Sequence, residues 1–156
     1  MTLPIHQDQI EKQIHINAPV ERVWRALTDH HEFGQWFGVK IEAPFVAGQA
    51  STGHMTIPGY EHVKWEAIVQ EVDSERFVFA YTWHPYAVET GRDYSQELPT
   101  RVEFRLQPSG SGTSLTVTES GFGKLPTDRL PEAFRKNSHG WEVQLNDIKL
   151  HAEQNN

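Results

Sequence analysis

From Ile10 the side chains alternate, Ile10, Lys12, Ile14 and Ile16 against Glu11, Gln13 and His15, a period of two that predicts a first strand with one buried face. The period changes at Asn17-Ala18-Pro19. Pro19 suits the first turn of a helix, and Val20, Val23, Trp24 and Leu27 then recur at helical spacing, which predicts a short amphipathic helix. Thr28 and Asp29 weaken it and Gly34 interrupts the next stretch, so residues 30–37 read as a broken turn or short helix carrying Phe33, Trp36 and Phe37. Six runs bounded by turn residues come next, at 38–44, 49–57, 62–73, 75–84, 100–107 and 112–120, and they read as further strands. In the fourth of them Phe77, Phe79, Tyr81 and Trp83 hold one parity and smaller residues the other, so the aromatic face is expected to point inward. The last two, with Val102, Phe104 and Leu106 in one and Leu115 and Val117 in the other, flank a Pro-Ser-Gly-Ser-Gly turn and predict a hairpin with a solvated outer face. A final stripe of Leu130, Phe134, Trp141, Leu145 and Ile148 predicts a helix over 128–153, roughly 39 Å long and able to cross a whole sheet.

A strand, two short helices, six consecutive strands and a terminal helix cannot build a βαβ parallel sheet. The expected class is α+β, a seven-stranded, curved antiparallel sheet wrapped on the long C-terminal helix, with two short helices after the first strand. No repeat, low-complexity tract or linker divides the elements. Residues 10–153 are therefore expected to form one domain, with a loose lead-in at 1–9 and a tail at 154–156.

A chain of 156 residues is long enough to enclose a core without disulfides, and its five Trp, four Tyr and eight Phe are ample to build one. Fourteen Lys and Arg against 21 Asp and Glu leave a formal charge of −7 with no basic cluster, which excludes nucleic acid as an expected partner. The absence of cysteine removes thiolate nucleophiles and Cys-based zinc sites. Residues 1–9 lack the basic start and apolar run of a signal peptide, and no run approaches the ~18 apolar residues of a membrane span. The expectation is a cytoplasmic protein without stable membrane association.

The order of elements, together with the segments INAPVERVWRALTD, FGQWFG, VDSERFVFAYTW, GTSLTVTESGF and GWEVQLNDIKLHAE, resembles the family of homologues of the activator of the heat-shock-protein-90 ATPase, over about residues 10–153. That family lies within the START-like, or SRPBCC, group. The resemblance implies the helix-grip fold with a cavity between sheet and terminal helix. It does not imply one activity, because the group includes lipid carriers, polyketide cyclases and chaperone activators.

A cavity of that kind would draw on Tyr81, Trp83, Phe104 and Val117 of the sheet and Phe134, Trp141 and Leu145 of the helix, with Trp36, Phe37, Met55 and Trp65 beside them. Each of these side chains also suits plain core packing. Glu119 continues the parity of Leu115 and Val117; if the strand runs on without a bulge, its carboxylate faces inward, where desolvation raises its pKa unless donors meet it. Gly140 precedes Trp141 inside the terminal helix at a cost of about 1 kcal/mol against alanine, and a close approach to the sheet would explain it. Residues 85–99 make a long connection that suits either a lid or a surface excursion.

Among nine histidines the only close pair is His30-His31, with no HxH or HExxH spacing, so neither a metal nor another cofactor is expected. No nucleophile elbow or phosphate-cradling loop occurs. The leading reading is a non-enzymatic binder of a small hydrophobic or aromatic ligand, lipids included, with Glu119 as a polar anchor. The alternatives are a cyclase- or hydrolase-type enzyme in which Glu119 or a nearby His moves protons, and a chaperone-interaction module, which the family's name suggests and the residues themselves do not.

Overall fold

The computed structural model describes residues 8–89 and 91–154. Residues 1–7 of the expected lead-in and 155–156 of the expected tail lie outside them. The first strand, β1 (Gln9–Ile16), buries Ile10 and Ile16. Asp8 ahead of it is already tied down: its carbonyl accepts the N–H groups of Gly121 and Phe122, and its carboxylate accepts that of Gly123.

Helix α1 (Val20–Thr28) buries Val20, Val23, Ala26 and Leu27, while Trp24 is partly buried and meets Phe77 edge-on. Asp29 both ends this helix and starts the next. Its N–H donates to the Arg25 carbonyl, and its side chain accepts the N–H groups of His31 and Glu32, the usual work of an N-cap aspartate. Residues 30–37 therefore form a complete short helix, α2 (His30–Phe37), rather than a broken turn. Gly34 does not interrupt it; a Cβ there would stand 2.2 Å from the Val39 carbonyl oxygen, so the glycine lets the helix lie directly on the strand beyond it.

That strand is β2 (Val39–Ile41), and β3 (Ala50–Met55), β4 (Lys64–Asp73), β5 (Val78–Trp83), β6 (Thr100–Ser109) and β7 (Gly112–Ser120) complete one sheet. Its order is β1-β7-β6-β5-β4-β3-β2, antiparallel throughout, with β1 and β2 at the edges. After a 3₁₀ turn (Phe122–Lys124), α3 (Leu130–Gln154) runs for 25 residues and buries Leu130, Ala133, Trp141, Leu145, Ile148 and Ala152 against the sheet and the two short helices. A curved seven-stranded antiparallel sheet around a long C-terminal helix is the helix-grip fold. No helix among the described residues is long and apolar enough to cross a membrane.

The aromatic row of β5 begins one position later than its alternation predicts. Phe77 has a positive φ of 55° and lies outside the strand, so its ring leaves the row and rests on Trp24. Phe79 and Tyr81 are fully buried as expected, but Val78 and Ala80 on the other parity are buried too. Their neighbours across the ladder explain this: Val78 lies opposite Arg105 and Ala80 opposite Glu103. Ion pairs linking Glu71, Arg76, Arg101, Glu103 and Arg105 run over that face, and the long stems of such residues cover apolar surface.

Candidate functional site

Strand β7 pairs without a bulge from Gly112 to Ser120, so Glu119 keeps the parity of Leu115 and Val117 and enters the core with 0% exposure. Register then decides its neighbours. Val102 lies opposite Glu119 on β6, Thr100 sits two residues away on the same face, and Thr100 in turn lies opposite Trp83 on β5. From the other side α3 presents Asn137 and Trp141, four residues apart and so on one helical face.

The result is a cage of four neutral donors. Glu119 Oε1 accepts from Asn137 Nδ2 at 2.9 Å and Trp141 Nε1 at 2.8 Å, while Oε2 accepts from Trp83 Nε1 at 2.7 Å and Thr100 Oγ1 at 2.6 Å. Two acceptances on each oxygen complete the lone pairs of an ionised carboxylate. The indole nitrogens donate only, so a neutral Glu119 acid could donate a hydrogen bond to the Thr100 hydroxyl or, after rotation of the amide, to the Asn137 carbonyl oxygen. Burial pushes the carboxyl above its ordinary range, and the four hydrogen bonds pull it back part of the way. Nearby Tyr81 is fully buried, with its phenol raised well above its usual value by burial and then by the charge of Glu119. Its hydroxyl has no hydrogen-bond partner among the described residues; neither has His84 Nε2 nor Gln144 Oε1.

Beside the cage lies a cavity of about 840 Å³. Trp65, Ala67 and Trp83 line it on the parity that faces α3, whereas Glu66, Ile68 and Thr82 line it on the opposite parity. The space therefore continues around the sheet from an inner lobe under α3 to an outer lobe under the 84–99 connection. Phe37 and Met55 close the inner lobe, and Asn137, Gly140, Trp141 and Gln144 supply its helical wall. Gly140 is not explained by a close approach to the sheet: a Cβ there would meet nothing within 4 Å. The missing side chain leaves room for the cavity instead.

The long connection is strapped to the helix by Arg129, which is only 7% exposed. Its Nη1 donates to the Tyr86 carbonyl and its Nη2 to the Pro85 carbonyl, and its guanidinium holds the Glu97 carboxylate at 2.8–3.2 Å. The same group lies over the Tyr94 ring at 4.6 Å from its centre. Both ends of the connection are thus gathered at one buried cation. Tyr86 between them has a positive φ of 50° and lines the cavity.

Of the residues expected at the site, Phe37, Met55, Trp65, Trp83 and Trp141 line the cavity. Glu119 sits directly behind Trp83 and Trp141. Trp36 turns its indole N–H to the Ala26 carbonyl and packs on Phe33, while Tyr81, Phe104, Val117 and Leu145 are buried in the core. Phe134 leans on Phe122 with ring centres 5.3 Å apart. Sequence reasoning missed Thr100, Asn137, Gln144 and Arg129. The spacing of Asn137 and Gln144 around Trp141 was a usable signal, since residues three and four apart share a helical face. Thr100 and Arg129 gave none.

The family model of the Activator of Hsp90 ATPase homolog 1-like proteins (AHSA1) matches residues 17–153. The chain belongs to this family. Solved structures agree on the fold of this AHSA1-type chain. Protein MLL2253 from Mesorhizobium loti superposes with a TM-score of 0.74 at 22% identity, covering 95% of this chain and 98% of its own. Protein NE0264 from Nitrosomonas europaea gives 0.75 at 20%, covering 99% and 100%, and the Aha1 dimer from Colwellia psychrerythraea gives 0.67 at 19%, covering 93% and 97%. At such identities the likeness is one of fold. No curated protein matches the sequence.

Proposed function

We propose that this AHSA1-family protein binds a small apolar or aromatic molecule in the cavity between β3–β5 and α3. The observation that carries the reading is the inner lobe walled by Phe37, Met55, Trp65, Trp83 and Trp141, part of a continuous space of about 840 Å³ that lies within the size range of small-molecule sites. Gly140 supports it, because a helix position that would accommodate a methyl group is left without one. Glu119 does not serve as anchor or proton carrier in this reading: all four of its acceptor sites are engaged by the protein itself, which favours a binder over an acid–base enzyme. The chaperone-interaction reading has only the family's name behind it.

The test is a thermal-shift screen of uncharged aromatic and aliphatic compounds, followed by quenching of tryptophan fluorescence, on the wild type and on Gly140→Leu. The wild type is expected to show saturable stabilisation and quenching by one chemical class. Gly140→Leu is expected to gain about 1 kcal/mol of stability from helix propensity while losing at least tenfold in affinity as its side chain fills the inner lobe. Silence across the screen, or equal affinity in the variant, overturns the reading.

A further inference from the structure

The proposed ligand site also carries a charge preference, an inference that rests on the binding reading. We infer that the cavity accepts neutral or cationic aromatic molecules and rejects anionic ones, and that Glu119 is the residue that sets this selectivity.

The first reason is where the wall's donors point. Trp83, Asn137 and Trp141 all line the cavity; both indole N–H groups, and one of the two amide N–H groups of Asn137, are turned onto Glu119. A ligand carboxylate entering the inner lobe loses its water and finds those donors already taken. The second reason is the charge behind the wall. Glu119 is wholly buried, and its four partners are neutral, so its field is spread by dipoles but not cancelled by a cation. An anion on the near side of the same indoles meets that field through a medium of low dielectric, whereas an ammonium group is drawn by it.

The third reason lies in the rings. An indole that donates its N–H to a carboxylate has a more electron-rich face, and Trp is the best face for a cation. Trp83 and Trp141 are both of this kind, tilted 35° to one another with centres 6.0 Å apart. The rim does not reverse the preference. Glu66, Glu89 and Asp93 line it against Lys64 and Arg92, Arg92 already pairs with Glu89 and Glu97, and His62 and His84 are the histidines of the lining, His62 facing the Val88 carbonyl.

The experiment compares three ligands of one shape: naphthalene carrying an ethanol, an ethylamine or an acetate arm. Dissociation constants are measured by calorimetry at pH 8, above the ordinary titration range of imidazole. In the wild type the alcohol and the amine are expected to bind, with the acetate weaker by roughly tenfold or more. In Glu119→Gln, checked for native packing by near-UV circular dichroism, the gap between acetate and alcohol is expected to close. If that variant does not fold, the wild-type series decides alone. An acetate bound as tightly as the alcohol by the wild type overturns the charge selectivity and leaves the cavity reading intact. A gap that persists unchanged in a folded Glu119→Gln overturns the assignment to Glu119. Failure of all three ligands to bind overturns this inference, which requires an aromatic ligand, while the cavity reading stands or falls with the wider screen of aromatic and aliphatic compounds.

Discussion

Glu119 and Tyr81 sit side by side in the core and solve the burial of a polar group in opposite ways. The carboxylate meets four donors, which together offset part of a desolvation cost of several kcal/mol. The phenol hydroxyl meets none among the described residues. Tyr81→Phe is therefore expected to leave stability unchanged or to raise it by up to about 1 kcal/mol in chemical denaturation, because it removes an unsatisfied hydroxyl at constant ring volume. A loss of stability would mean that the hydroxyl has a partner. The inward turn of Glu119 was legible in the parity of β7; its cage was not, because Thr100, Asn137 and Trp83 reach it from three other elements whose register no local pattern specifies. Gly140 was legible as an anomaly but not in its cause, since the absence of a neighbour cannot be read from adjacent residues.

At the scale of elements, the 84–99 connection shows how one buried side chain can organise a long loop. Arg129 precedes α3 and gathers Pro85, Tyr86, Tyr94 and Glu97 around its guanidinium. Arg129→Met keeps the apolar stem but leaves Glu97 only the half-exposed Arg92 at 3.8 Å, a change expected to cost up to about 3 kcal/mol. Amide exchange and proteolysis are expected to accelerate in 85–97 first, with the protection of β6 and β7 retained. Uniform acceleration over the whole sheet would instead mean that the strap supports the entire fold. The strands and helices themselves agree closely with their apolar periods, as the positions of β1, β6, β7 and α3 show. The Asp29 N-cap decides between the two readings of 30–37 in favour of a short helix, and the departure in β5 has a local cause, a left-handed Phe77 that takes one ring out of the row.

For the molecule as a whole, the joint of the three helices lies at Glu32 on α2. Its carboxylate accepts from Arg22 of α1 at 2.7 Å and Arg25 of α1 at 2.9 Å, and meets His151 of α3 at 2.9 Å. Burial pushes this carboxyl up, but the hydrogen bonds from His151, Arg22 and Arg25 outweigh it and hold it below its ordinary value of 4.5. A carboxyl depressed in the folded state contributes stability above its unfolded pKa and loses it as pH falls through the folded one. The melting temperature of Glu32→Gln is thus expected to lie several degrees below that of the wild type at pH 7, roughly 4 °C or more, and the gap to shrink as pH falls below 4.5. A gap of constant size would assign the loss to packing rather than charge. Glu119 acts in the other direction, since its raised carboxyl favours the folded state as pH falls. The sequence by itself determined the elements and their order, because periods of two and 3.6 are properties of local backbone geometry; it made the inward turn of Glu119 conditional on a β7 without a bulge, which the register then supplied. Only the tertiary structure decided which donors surround that carboxylate, where the sheet and helix part to leave a cavity, and which cation closes the long loop over it. Those contacts join residues from 18 to more than 100 positions apart, and their pairing exists only once the sheet has closed on the helix.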